Sequence, residues 1–183
     1  MRLLMAALSA LTLAACNRTG PQADETQQIV ENGCPAAASA TWEGMQVEAS
    51  ANGGDCASAQ ATITIDNGGA VVWSENYPVR QVMVLAGPES VEDMQRRLNE
   101  WVNPPGAARD STGDLPVWAA GAPHPMSGEF PFYTEEGVDR PRYETLRGAD
   151  APMFCYVQGM ESEACLTLEN GRVTKIGVQS FPG

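Results

Sequence analysis

Two stretches in the first half of the chain alternate apolar and polar residues, which is the period of a half-buried β-strand. The first covers 42–50 and the second 57–65, and a Gly-rich segment follows each of them. Because alternation places the apolar set on one face, each stretch predicts a strand with that face on a core. The apolar positions are Met45, Val47, Ala49, Ala59, Ala61, Ile63 and Ile65.

The turn after the second stretch predicts how its strand pairs with the next one. Asn67-Gly68 between alternating strands favours a type I′ turn, in which both central residues need a positive φ. This turn would place Ile63 opposite Val72. Trp73 would then lie on the polar face of the sheet, together with the threonines of the preceding strand.

One stretch has helical spacing. Apolar residues recur every three or four positions through about 88–102, and Pro88 precedes a Ser90–Asp93 pair that resembles a capping box. The sequence predicts an amphipathic helix there, packed on the sheet. A further strand is predicted just before it, over 79–86.

The second half of the chain divides into an irregular part and a strand-rich end. Pro and Gly recur through 104–152, which predicts a long irregular section. Short strands are predicted again at 154–158, 165–169 and, after the turn Asn170-Gly171, 173–179. The whole pattern predicts one α+β domain over 41–183, with a mainly antiparallel sheet of about seven short strands and one helix.

Charge narrows the class of partner. The chain of 183 residues carries a formal net charge of −12, with 11 Lys and Arg against 23 Asp and Glu. This excess of negative charge argues against nucleic-acid binding and provides no basic patch for anionic lipid. It is compatible with a cationic partner. Since there is no Gly-rich phosphate-binding fingerprint, no cofactor is expected.

The first sixteen residues have the pattern of an export signal. Arg2 gives a positive start, an apolar run follows over 3–13, and small residues precede Cys16. The run is too short to span a bilayer as a helix. Leu13-Ala14-Ala15-Cys16 resembles the lipobox of bacterial lipoproteins.

The lipoprotein resemblance implies where the protein is held. Residues 1–15 would be removed, and Cys16 would become an acylated N-terminus anchored in a membrane. Residues 16–40 would then form the lipidated N-terminus and a flexible tether. Asn17 follows the cysteine where inner-membrane lipoproteins carry Asp, which favours the outer membrane, facing the periplasm. The alternative is an ordinary secretory signal with an accidental cysteine.

The other four cysteines fit an exported domain. An even number outside the cytoplasm predicts two disulfides. If 153–158 and 162–168 form a hairpin, Cys155 and Cys165 lie directly opposite each other, which leaves Cys34 to pair with Cys56. The alternative is a four-cysteine zinc site, which the lack of any C-x-x-C pair disfavours, so no metal is expected.

Candidate catalytic residues surround the only histidine. His124 as general base, Ser127 as nucleophile, and Glu129 or Asp139 as the orienting acid would form a hydrolase site. No G-x-S-x-G pattern surrounds the serine, and an exposed loop histidine is the simpler interpretation.

Two binding interpretations apply to the same irregular section. The acids over 135–139 offer oxygens of the kind that calcium requires, although arginines follow at once and an EF-hand order is absent. Its aromatic residues would form either an exposed binding surface or caps for the open ends of the sheet. These residues are Trp118, Phe130, Phe132 and Tyr133.

These patterns predict an envelope lipoprotein with a non-catalytic binding or structural role. One alternative is inhibition of a cationic cell-wall hydrolase, because acidic, disulfide-bonded envelope lipoproteins resemble the membrane-bound lysozyme inhibitors. Those proteins carry S-G-x-x-Y in a loop, and here the tyrosine after Ser127-Gly128 is Tyr133, two positions later than the motif requires. The other alternative is the hydrolase using His124. The expected partners are the membrane, through the lipid, and an envelope protein or other cationic partner.

Overall fold

A computed structural model describes residues 33–104 and 111–182. The predicted signal peptide, the predicted lipidation site Cys16 and most of the predicted tether lie outside these residues. Nine strands and two α-helices form within them, which confirms the α+β class with mainly antiparallel pairing and raises the expected number of strands and helices. They are β1 (Ala36–Trp42), β2 (Met45–Asn52), β3 (Gln60–Asn67), β4 (Ala70–Pro78), α1 (Val91–Val102), β5 (Met126–Ser127), β6 (Phe130–Thr134), α2 (Arg140–Ala149), β7 (Met153–Val157), β8 (Ser162–Glu169) and β9 (Arg172–Ser180).

The first sheet is an antiparallel meander in the order β1-β2-β3-β4. Its apolar positions are buried as the alternation predicts, and α1 packs on β1 and β2. Ser90 is the N-cap of α1, where its hydroxyl accepts a hydrogen bond from the Asp93 N–H at 3.1 Å. The predicted helix is therefore confirmed, and it begins at Val91.

The second sheet has the order β5-β6-β9-β8-β7. One face contributes Tyr156, Ala164 and Leu166 to the core beneath the first sheet. The other face contributes Phe132 and Ile176 to a second core, which α2 covers. The second sheet therefore joins the two cores.

Both predicted disulfides are confirmed. Cys155 lies directly opposite Cys165 in the β7–β8 hairpin, with their Cα atoms 4.1 Å apart. Cys34 pairs with Cys56 and ties the residues before β1 to the segment leading into β3.

The predicted register of β3 and β4 is wrong. The two-residue turn consists of Gly68 and Gly69, which both have positive φ, and a bulge follows. Ile63 consequently pairs with Glu75 rather than with Val72. The bulge also brings the side of β4 that carries Trp73 onto the core face of the sheet.

Three further assignments differ from those predicted from the sequence. The region 79–86 forms a short 3₁₀ helix, Val79–Gln81, and turns instead of a strand. The irregular section contains α2, which begins after the N-cap Asp139. Residues 36–40, placed in the tether, belong to β1, so the ordered domain begins before residue 41.

Neither described α-helix has the length and apolar character needed to cross a bilayer.

Candidate functional site

A connected group of polar side chains lies between the two sheets, around Glu75. Glu75 belongs to β4 and pairs with Ile63, whose side chain is fully buried, so the carboxylate projects from the core face of the first sheet. About 32% of its side chain is exposed. An ionised group in this position is costly unless it has hydrogen-bond or ionic partners.

Two tyrosine hydroxyls supply the first partners. Tyr77, also on β4, donates to Glu75 Oε2 at 2.5 Å, and Tyr156 on β7 donates to the same oxygen at 2.6 Å. The two hydroxyl oxygens are 3.1 Å apart. One carboxylate oxygen therefore links the edge strand of the first sheet to the edge strand of the second.

Lys175 on β9 supplies the positive charge. It is the only lysine in the chain, and 16% of its side chain is exposed. Its ammonium lies 3.6 Å from Glu75 Oε1 and 3.4 Å from Glu135 Oε1, and it donates to Gln158 Oε1 at 3.2 Å. We call Glu75, Tyr77, Glu135, Tyr156, Gln158 and Lys175 the inter-sheet polar network.

Aromatic packing holds the network in place. The Trp101 ring of α1 meets the rings of Tyr77 and Tyr156 edge-on, with centroids 6.0 Å away in both cases. Its indole N–H donates to the Val157 carbonyl at 2.6 Å. Edge-to-face packing of this kind restrains both tyrosine rings and keeps their hydroxyls on the carboxylate.

The surroundings of Glu75, Tyr77 and Tyr156 keep the carboxyl ionised and both hydroxyls protonated at neutral pH. Burial raises the pKa of Tyr77 and Tyr156, and the neighbouring Glu75 carboxylate raises both further. Burial also acts to raise the pKa of Glu75, but hydrogen bonds from Tyr156 and Tyr77, with the charge of Lys175, outweigh it and lower that pKa.

These states define what the network can do chemically. An ionised carboxylate with protonated tyrosines offers no group poised to exchange a proton near neutral pH. Two carboxylates share one ammonium, and Glu135 is about 38% exposed, so the network presents residual negative charge to solvent. It is suited to joining the sheets and to contacting a cationic group.

The predicted catalytic residues are not assembled into a site. His124 packs its ring against Tyr133, with centroids 4.9 Å apart. Ser127 lies in β5 and is exposed, as is Glu129 in the turn that follows. Among residues 33–104 and 111–182, no hydrogen bond joins His124 to Ser127, Glu129 or Asp139.

The predicted calcium acids have other roles. The Asp139 side chain accepts the Arg142 N–H at 3.0 Å as the N-cap of α2, and Glu135 contacts Lys175 in the inter-sheet polar network. A different potential ligand set, Cys155, Glu163 and Cys165, has its ligand atoms within 4.8 Å of one another. Because both sulfurs are bonded in a disulfide, this set has no thiolates for a metal.

The predicted aromatic surface is only partly exposed. Phe132 is fully buried in the second core, and Phe130 is half-buried. Trp118 is half-buried against Tyr143, with its indole N–H on the Ala122 carbonyl at 2.9 Å. Tyr133 is about 49% exposed and is the one member that presents a large surface to solvent.

Two shallow depressions lie elsewhere, on the outer face of β1 and β2. They have volumes of about 250 and 370 Å³ and share Ser39 and Gln46 in their linings. The larger also includes Glu48, and neither includes a residue of the inter-sheet polar network.

The sequence contained a signal for the network that the register obscured. Trp73, Glu75 and Tyr77 occupy alternate positions and so share one face of β4. With the unbulged turn, that face points to solvent and the carboxylate needs no partner. The bulge places it on the core, where Glu75 needs Lys175 and the tyrosines.

No protein-family model, no curated protein and no solved structure matches this chain.

Proposed function

We propose that the chain is a lipoprotein of the cell envelope, anchored through Cys16 in the outer membrane and facing the periplasm. Its domain has a non-catalytic binding or structural role. The observation that carries the proposal is the pairing of all four cysteines of the described residues in two disulfides. Disulfides persist in oxidising compartments, which supports export of the chain beyond the cytoplasm.

The chemistry of the described residues supports a role without catalysis. In the inter-sheet polar network, the Glu75 carboxylate stays ionised and Tyr77 and Tyr156 stay protonated. His124 contacts an aromatic ring rather than an acid or a nucleophile. Each polar cluster therefore stabilises the fold or offers a fixed charge to a partner.

The anchor is tested by metabolic labelling. The full chain, expressed in a Gram-negative host fed with labelled palmitate, is expected to carry label and to fractionate with the outer membrane. Cys16→Ala should abolish the label and release the chain from the membrane while both disulfides still form. An unlabelled wild-type chain with a free N-terminus, or reduced thiols at the other four cysteines, would contradict the proposal.

One observation favours inhibition of a cationic cell-wall hydrolase as a second candidate. Ser127 and Gly128 are exposed in the β5–β6 hairpin, and Tyr133 of the same hairpin is also exposed. Protein that slows lysozyme-driven lysis of cell walls, with the effect lost in Tyr133→Ala, would support this function. Unchanged lysis at equimolar protein would exclude lysozyme as its target.

A further inference from the structure

The two edges of the first sheet differ, and part of the β1 edge is covered by side chains. The backbone N–H of Ala37 donates to Gln95 Oε1 at 3.1 Å, and the Ala37 carbonyl accepts from Gln95 Nε2. The Asn103 side chain donates to the Ser39 carbonyl at 3.5 Å. Side chains of α1 and its C-cap thus occupy three of the backbone groups that another strand would need.

The β4 edge is open, and the ladder shows which groups it offers. Val79 N–H donates to the Ala59 carbonyl at 3.0 Å, two residues beyond the pairing of Tyr77 with Ala61. Because bonded and non-bonded pairs alternate in an antiparallel ladder, the backbone groups of Ser74 and Asn76 point away from β3. Within the described parts of the chain, no hydrogen bond reaches these groups.

The sequence of β4 leaves this edge unprotected. No Lys, Arg or Pro occurs from Ala70 to Tyr77, and the strand contains β-branched and aromatic residues. Pro78 ends the open stretch at a position that also faces the edge, where a missing N–H is tolerated. The bulge near Val72 disturbs only the other end.

The first sheet packs on only part of the second sheet, and the part around β6 is left exposed. One row across it runs through Tyr156, Ala164, Val178 and Tyr133, on strands β7, β8, β9 and β6. Exposure rises along the row: Tyr156 and Ala164 are buried, Val178 is half-buried and Tyr133 is 49% exposed. Glu75 of β4 contacts Lys175 of β9, so the packing of the first sheet on the second ends near β9.

We propose that β4 accepts an extended segment of a partner protein as a fifth strand, and that this segment carries basic side chains. Main-chain bonds to Ser74 and Asn76 would hold the strand, as in other cases of strand addition. The partly exposed carboxylates of Glu75 and Glu135 would contact its cations. A second copy of the chain is a poorer occupant, because two molecules of net charge −12 repel each other.

This inference rests on the proposed binding role but is independent of the lipid anchor. The probe is a fluorescent, end-blocked heptapeptide of alternating Lys and Val, titrated by polarisation against the full chain in mild detergent. Ser74→Pro removes the outward N–H without touching the β3–β4 ladder, and we expect it to weaken binding about tenfold, or about 1.4 kcal/mol. Ser74→Ala keeps that N–H and should bind like the wild type.

Two changes to the probe test the same claim without altering the protein. A peptide N-methylated at every internal residue has no internal N–H on either edge to donate to the ladder, and we expect no measurable binding, even if Ser74→Pro proves unstable. A Glu-Val peptide should bind at least about tenfold more weakly than the Lys-Val peptide, because it meets like charge.

Equal binding by Ser74→Pro and Ser74→Ala, or by the N-methylated peptide, would overturn pairing at this edge. Equal binding by the Glu-Val peptide would overturn the basic partner. Concentration-dependent dimerisation that Ser74→Pro abolishes would assign the edge to a second copy instead. Absence of Lys-Val binding by a chain that carries labelled palmitate would count against the edge proposal alone, since anchoring would then be intact.

Discussion

Glu75 illustrates how single residues connect the two sheets. A carboxylate on an apolar face is stable only with several polar partners, and here those partners come from three strands of both sheets. Removal of Glu75 takes a hydrogen-bond acceptor from both tyrosines and an ionic partner from Lys175. Loss of the Glu75 charge is therefore expected to destabilise the contact between the two sheets.

We expect Glu75→Gln to lower the free energy of unfolding by about 1.5–3 kcal/mol, the usual contribution of hydrogen bonds to a charged group. The amide keeps the shape of the side chain but cannot neutralise Lys175. The matched control is Glu135→Gln, whose more exposed ion pair with Lys175 should contribute less than about 1 kcal/mol. Urea titrations of both variants measure the difference, and equal losses would contradict the assignment.

The lowered pKa of Glu75 also predicts how stability depends on pH. The unfolded group titrates near its ordinary value of 4.5 and the folded group below it, so its contribution is fully present above about pH 4.5. That contribution is lost as the pH falls through the folded pKa. Urea midpoints between pH 6 and pH 3 should therefore fall more steeply for the wild type than for Glu75→Gln. Parallel curves would show that Glu75 is not the group responsible.

At the scale of elements, local signals were sufficient for α1 and insufficient for α2. α1 has a long apolar stripe and the Ser90 cap, both readable in the sequence. α2 is only ten residues long and buries Tyr143 and Leu146 alone, while its arginines resemble a solvated stretch. Its start was nevertheless encoded by Asp139 followed by Pro141, a cap and a first-turn proline.

We expect Asp139→Ala to destabilise the protein by about 1 kcal/mol, because it removes the oxygen that accepts the Arg142 N–H. Asp139→Asn retains an acceptor at the same position and should lose much less. Thermal unfolding of the two variants at equal protein concentration compares them. A loss of the same size in both would mean that charge, and not the cap, is the relevant property.

Strand pairing could be predicted where it depends on nearby residues, and could not where it depends on contacts between distant parts of the chain. Cys155 and Cys165 could be placed opposite each other because the hairpin around Gly159 is short. The β3–β4 register could not be predicted, because a bulge inserts one residue and exchanges the two faces of β4. Contacts between Glu75 and Lys175 depend on that register and on the packing of two sheets, so they were outside the reach of local patterns.

At high ionic strength, where the repulsion between two acidic copies is screened, we expect Gln95→Ala to increase self-association, because it frees both backbone groups of Ala37 at the β1 edge. The exposed amide contributes little to stability, so the change should appear mainly in the state of assembly. Sedimentation velocity across a range of concentrations measures it. Glu100→Gln alters another exposed side chain of α1 and should remain like the wild type.

At the scale of the whole molecule, the two disulfides constrain loops of different size. The separations are 22 residues for Cys34–Cys56 and 10 for Cys155–Cys165. In the chain-entropy account, the stabilisation from a cross-link is a constant plus 1.5RT times the logarithm of the loop length, so two cross-links differ by the logarithmic term alone. The longer loop therefore gives Cys34–Cys56 the larger contribution.

We expect Cys34→Ala with Cys56→Ala to cost about 0.7 kcal/mol more than Cys155→Ala with Cys165→Ala, from the ratio of the two separations. Urea unfolding of the two double variants under oxidising conditions gives the comparison. A larger loss from the second pair would indicate that packing around Cys165, which is fully buried, outweighs the effect on the unfolded chain.

The Cys34–Cys56 bridge also decides how a mechanical load would enter the domain. Without the bridge, a force applied from the N-terminal side of Cys34 would act on the start of β1. Because β1 is an edge strand, its hydrogen bonds to β2 could then break one after another. The bridge diverts that tension across to Cys56 and on towards β3, an interior strand flanked on both sides. The β1–β2 hairpin, enclosed between the two sulfurs, is thereby shielded from force for as long as the bridge stays oxidised.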